Sequence, residues 1–302
     1  MSGTQAGNFK KLAQGLYLEG LAVDDARGIV WYSDVIAGGI HGVTPNGEKV
    51  TSFNTERMWT GGILINEDGA VLSSGAGGIM WNHPDTRTSG WLVSEIDGKP
   101  INGINEMIPD GTGGIYFGTV DIEQIAKGEP TRPAALYRLT ANRRVILVAD
   151  GLGFANGIML SPDRKLLYYN DTFDSTYVFD VLPDLSLSNR RLLLAKEDCD
   201  GMALDAEGNL WITGFRSSDI TRGRPEGTLL PPVPTPADAI TQVRFGGTDM
   251  RDVYFTSVPV DGGDSLAVGV QPTEKRSILY RGRSELPGMR IPPTQFKLSQ
   301  PQ

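Results

Sequence analysis

Six side chains able to bind through oxygen recur at a regular distance along this 302-residue chain: Glu19, Thr60, Asn105, Asn156, Asp200 and Gln242. Brought together, Glu19, Asn105, Asn156 and Asp200 would offer two carboxylates and two amide carbonyls. An all-oxygen set of that kind suits a hard divalent cation, Ca²⁺ or Mg²⁺ first, with Mn²⁺ also admissible. Zn²⁺ fits less well, because its usual sites draw on Cys and His. The chain has one cysteine, Cys199, and two histidines, His41 and His83, and both histidines fall on stretches away from the set. Two buried carboxylates without a cation would repel each other and lose their hydration, so a metal is the natural compensation.

A repeated element spaces these residues. The copies are GIVWYSD from Gly28, GAVLSSG from Gly69, GGIYFGT from Gly113, KLLYYND from Lys165, GNLWITG from Gly208 and RDVYFTS from Arg251. Their second apolar residues, Trp31, Leu72, Tyr116, Tyr168, Trp211 and Tyr254, are 41, 44, 52, 43 and 43 residues apart. Each polar residue stands 11 or 12 positions ahead of one of them, and four are followed by Gly and an apolar run. A period of this size, with several strands per unit, predicts an all-β six-bladed β-propeller of four antiparallel strands per blade. Rotation then places the six polar residues in a ring on the central channel.

The same spacing predicts a single domain across residues 1–302, with the propeller from about 10 to 285 and a tail over 286–302. The segment from Lys10 to Tyr17 lies where an outer strand should precede an inner one, so it is expected to complete the last blade and close the ring. Helix is expected to be almost absent. Two irregular stretches, Asp121–Pro133 and Ser217–Pro236, read as long loops of the kind that shape the mouth of a site. The tail from Glu285 reads as a final strand followed by disorder.

Composition narrows the partners. A net charge of −8 and no cluster of Lys or Arg argue against a nucleic-acid surface. No apolar run approaches the ~20 residues needed to cross a bilayer, and the first fifteen residues lack the apolar segment of a signal peptide, so the expectation is a cytoplasmic protein without a membrane partner. The lone Cys199 rules out an internal disulfide. Strand alternation points it away from the channel, toward packing.

The stretches Glu19-Gly20-Leu21, Asn156-Gly157-Ile158-Met159-Leu160-Ser161-Pro162-Asp163, Asp200-Gly201-Met202-Ala203-Leu204-Asp205 and Phe245-Gly246-Gly247-Thr248-Asp249 resemble the SMP-30/gluconolactonase/luciferin-regenerating-enzyme family of six-bladed propellers, over essentially the whole chain. The resemblance implies one divalent metal held by Glu19, Asn156 and Asp200, with Asp200 as general base or nucleophile. Where that family commonly has an Asn-Asp pair in the third blade, this chain has Asn105-Glu106. Glu106 is thereby a second catalytic candidate, and Asn105 a ligand or substrate contact. Sugar-lactone members tend to carry an Arg two residues before that Asn; here Gly103 stands in its place.

The leading expectation is metal-assisted hydrolysis of a lactone or similar ester-like small molecule. Asp200 would take a proton from water or attack directly, while Asn105 and Glu106 orient the substrate. Met58, Trp59, Met107, Phe154, Phe173 and Phe215 are expected near the mouth, with Trp59 and the three phenylalanines as substrate contacts, which tilts the substrate toward one less polar than a sugar lactone. Two other readings keep the same ring: lyase or hydratase chemistry on a small catabolic intermediate, and a noncatalytic ligand-binding propeller.

Overall fold

The computed structural model describes residues 8–130 and 133–298. The first seven residues, positions 131 and 132 of the first expected loop, and the last four residues of the tail lie outside them. Six four-stranded antiparallel sheets form the body. The innermost strands are Leu18–Asp24, Thr60–Ile65, Gly103–Pro109, Phe154–Leu160, Cys199–Leu204 and Ala239–Gly246. Each packs on the next and the sixth on the first, which makes a six-bladed propeller.

The apolar residues that mark the repeat lie on the second strands and form the core between blades. Trp31, Leu72 and Tyr116 are fully enclosed, and Tyr168, Trp211 and Tyr254 nearly so. Burying each large side chain contributes roughly 2–3 kcal/mol, which holds the period in the sequence. The ring closes with a strand from the other end of the chain: Lys10–Gly15 runs antiparallel to Ser277–Arg283, pairing Lys10 with Arg281 and Gly15 with Ser277. No outer edge of the sixth sheet is left without its fourth strand.

Two expectations are corrected. Ser217–Pro236 is no mouth loop; it supplies the third and fourth strands of blade five, Asp219–Gly223 and Leu229–Pro234. Helix among the described residues is confined to two six-residue pieces, in keeping with its expected near absence. Helix α1, Ile122–Lys127, begins at Asp121, whose side chain accepts from the Gln124 amide, and ends at Gly128 with φ of 68°. Helix α2, Gly262–Ala267, follows the second strand of blade six. No helix among the described residues is long and apolar enough to cross a membrane.

The tail is the second correction, because residues 285–298 run across the end of the channel where the inner strands finish. Gly288 bridges to Asp205 of blade five and its amide donates to the Met250 carbonyl of blade six. Arg290 pairs with Asp25 of blade one. Asn66 of blade two accepts from the Thr294 hydroxyl at 2.7 Å and the Phe296 amide at 2.9 Å, and the Gln295 amide reaches the Gly113 carbonyl of blade three. Phe296 is buried in the core between blades two and three. Phe296→Ala should therefore cost about 3 kcal/mol in urea unfolding; an unchanged midpoint would mean the tail is not part of the folded unit.

Candidate functional site

Four of the six ring residues sit where an inner strand slips out of register with the second strand. The register breaks between Leu18 and Leu21, Ile104 and Met107, Ala155 and Ile158, and Cys199 and Met202. Glu19, Asn105, Asn156 and Asp200 fall inside these breaks. A bulge re-aims a side chain out of the alternating pattern and frees backbone groups from the ladder. The glycine after the polar residue has a steric cause: a Cβ on Gly20 would lie 2.0 Å from the Gly61 carbonyl oxygen of the next inner strand, and one on Gly157 would lie 2.5 Å from that of Asp200. Only glycine lets the strands crowd the axis this closely.

The freed carbonyls are taken up by the preceding blade. Ser74 donates to the Asn105 carbonyl at 2.7 Å, Asn170 to that of Asp200 at 2.7 Å, and Thr256 to that of Glu19 at 2.9 Å. Thr213 does the same for Thr241 at 3.0 Å. All four donors are fully buried. They fix the backbone beneath three of the proposed ligands.

Glu19, Asn105, Asn156 and Asp200 meet at the floor of one cavity of about 490 Å³. Glu19 and Asp200 are buried, yet Glu19 Oε2 and Asp200 Oδ1 have no hydrogen-bond partner. Burial, then the neighbouring Glu106, pushes the Glu19 carboxyl up to about 8. Burial and Glu19 likewise raise Asp200 well above the carboxylate range, against a lowering hydrogen bond from Asn156. The Asn105 amide nitrogen donates to the Ala155 carbonyl at 3.2 Å, which leaves its oxygen available. Among the described residues no group of three or more Asp, Glu, His or Cys is set to hold a metal; this floor has two carboxylates, and amide oxygens make up the rest. Orphaned carboxylate oxygens beside amide oxygens fit a hard cation.

Glu106 is placed differently from its expected role. It does not line the cavity. Its Oε1 accepts from the Met107 amide at 2.9 Å, and its Oε2 is held by Gln242 and by Arg244 at 3.2 Å. One oxygen is held by a backbone amide and the other in a buried ion pair with Arg244, so Glu106 stands off the cavity lining on which its expected role depends. Gln242, the sixth ring member, is spent on this network, and Thr60 donates to the Arg57 carbonyl. Met107 is in the core between blades two and three, and Met58 is exposed outside the cavity lining. Cys199 is buried, and burial raises its thiol.

The cavity wall carries Trp59, Phe154, Phe173 and Phe215 as expected. It also carries residues that sequence reasoning missed. Tyr17, two positions ahead of Glu19, is buried at the cavity, and strand spacing alone could have flagged it. Helices α1 and α2 add Ile122, Ile125 and Leu266, and come from opposite blades, three and six. Ile122 stands over Gly103: a Cβ at position 103 would lie 2.3 Å from its Cδ1. A methyl group thus fills the space that a longer side chain at 103 would need.

A family model described as SMP-30/Gluconolactonase/LRE-like region matches residues 18–259. Among curated proteins, regucalcin of Danio rerio is 30% identical over 235 residues, 74% of this chain and 77% of its own length. Pentonolactonase XacC of Haloferax volcanii is 26% identical over 257 residues, 82% of this chain and 84% of its own. The 6-deoxy-6-sulfogluconolactonase of Pseudomonas putida is 26% identical over 235 residues, 76% of this chain and 79% of its own. Among solved structures, a luciferin-regenerating enzyme superposes with a TM-score of 0.80 at 23% identity, covering 97% of this chain and 100% of that one. A calcium-binding protein, regucalcin, from Agrobacterium tumefaciens gives 0.80 at 19% identity, with 96% and 98% covered. These two share the fold.

Proposed function

Because the chain belongs to the SMP-30/gluconolactonase/LRE-like family, we propose that it is a metal-dependent lactonase whose single divalent cation is held by Glu19, Asn105, Asn156 and Asp200. The observation that carries this reading is the pair of unpartnered buried oxygens, Glu19 Oε2 and Asp200 Oδ1, at the floor of a cavity with apolar walls. Relatives named for pentonolactone and sulfogluconolactone hydrolysis support the reaction class, and a relative described as calcium-binding supports the cation. When bound, the cation would supply a Lewis acid for the ester carbonyl.

The chain's own groups do the rest. Water adds to the carbonyl carbon, the ring C–O bond breaks, and a hydroxy acid leaves. Asp200 takes a proton from the attacking water and returns it to the departing ring oxygen as the C–O bond breaks, with the carboxylate aimed by Asn156 on its side chain and by Asn170 on its backbone. Asn105, its nitrogen tied to Ala155, presents its oxygen to the floor. Burial and the apolar walls exclude bulk water from the ester. Ile122 over Gly103 and the phenylalanines favour a substrate less polar than a sugar lactone.

The test is acid release from γ-butyrolactone, dihydrocoumarin and glucono-1,5-lactone by protein treated with EDTA and then given Ca²⁺, Mg²⁺, Mn²⁺ or Zn²⁺. Turnover of at least one lactone, lost with EDTA and restored by a cation, is the expected result. A cation-dependent rise in melting temperature with no turnover would instead make this a ligand-binding propeller.

A further inference from the structure

Ten described residues other than glycine have positive φ, and only two of them are aromatic: Trp59 at 58° and Phe173 at 73°. Both line the cavity. The left-handed region disfavours bulky side chains, and such strain persists where function requires it. Phe173 makes the point sharply. It is the third residue of the turn Asp171–Asp174 that joins Leu166–Thr172 to Ser175–Val181, closed by the Asp174 amide on the Asp171 carbonyl at 3.0 Å. Of the two central residues, Thr172 and Phe173, only Phe173 is left-handed, and glycine is the usual occupant of that place. Packing does not explain the choice, since Phe173 is 50% exposed.

The ring is instead held at the cavity by other aromatics. Phe173 meets Phe154 edge-on at 6.1 Å between centroids and Phe215 at 5.5 Å. Phe215 is seated by α2, where a Cβ on Gly263 would lie 2.4 Å from its ring. No described residue lining the cavity is Lys, Arg or His, and Glu129 adds a third carboxylate to Glu19 and Asp200. An anionic substituent finds no partner among them, whereas an uncharged ring finds three aromatic edges.

Resting on the lactonase reading, we infer that Phe173, kept at a strained turn position beside Phe154 and Phe215, is a specificity-determining residue that grips the aromatic substituent of an uncharged lactone.

The experiment compares wild type with Phe173→Gly on dihydrocoumarin, γ-butyrolactone and glucono-1,5-lactone, together with melting temperatures and calorimetric binding of 2-naphthol. Wild type should favour dihydrocoumarin over both other lactones. Phe173→Gly should melt at the same or a higher temperature, because the turn strain is relieved. Its preference for dihydrocoumarin over γ-butyrolactone should fall about fivefold, through KM. A best rate on glucono-1,5-lactone, or an unchanged preference in the variant, overturns the inference. If no lactone is hydrolysed, the lactonase reading fails separately: 2-naphthol binding that weakens in Phe173→Gly still supports the aromatic subsite, and binding that does not weaken ends it.

Discussion

Asp200→Asn is expected to lower lactone turnover by about three orders of magnitude, or about 4 kcal/mol of barrier, while raising the melting temperature of the cation-free protein at pH 8. The amide keeps the shape of the side chain but cannot accept the proton of water. It also removes one of two neighbouring buried carboxylates that each leave an oxygen without a hydrogen-bond partner. Burial and Glu19 both oppose the charge on Asp200, so losing it relieves the fold while disabling the chemistry. Opposite signs on activity and stability mark a group kept for function. Lactone kinetics beside calorimetry of EDTA-treated protein would show both. Wild-type turnover in the variant would remove Asp200 from the reaction, and a lower melting temperature would mean that its charge is compensated in the fold.

The cation-free protein should lose stability as pH rises from about 4.5 to about 8. The Glu19 carboxyl titrates near 4.5 when free of the fold and near 8 inside it. Across that window the unfolded chain has released a proton that the folded chain still holds. The unfolded state binds fewer protons, so stability falls with pH, by on the order of 4 kcal/mol from Glu19 alone. Asp200 acts in the same direction. A bound cation reverses the trend, because it requires both carboxylates ionised and displaces their protons. The stabilisation by Ca²⁺ or Mn²⁺ should accordingly be larger at pH 8 than at pH 5. Scanning calorimetry from pH 5 to 8, with EDTA and with cation, checks this; a cation-free curve that is flat or rises with pH would contradict it.

The ring and the blades were legible because one steric arrangement is copied six times. The apolar ruler residues fill the space between blades, and four of the polar residues fall in register breaks at a nearly constant distance from them. A further layer was legible and was overlooked. Ser33, Ser74, Asn170, Thr213 and Thr256 each stand two residues after a ruler position, and the last four hold the carbonyls of the next blade's axial strand. Helix α2 left no trace in the spacing, because intervals between successive second strands cannot register an insertion in the last blade. Glu106 was misplaced for a different reason. Its partner Arg244 is 138 positions away, and nothing local in either stretch announces a buried ion pair. The Ser217–Pro236 segment was misread because its Pro and Gly content suits an outer strand as well as a loop.

The C-terminal strap, seated from Asp205 to Gly113 under five of the six blades, lies across one end of the central tunnel, which leaves the aromatic-rimmed cavity as the route to the ring. Whatever arrives past the aromatic rim must leave by the same way, in reverse order. A hydroxy acid still in place therefore blocks the following molecule, and the enzyme should show competitive inhibition by its own product.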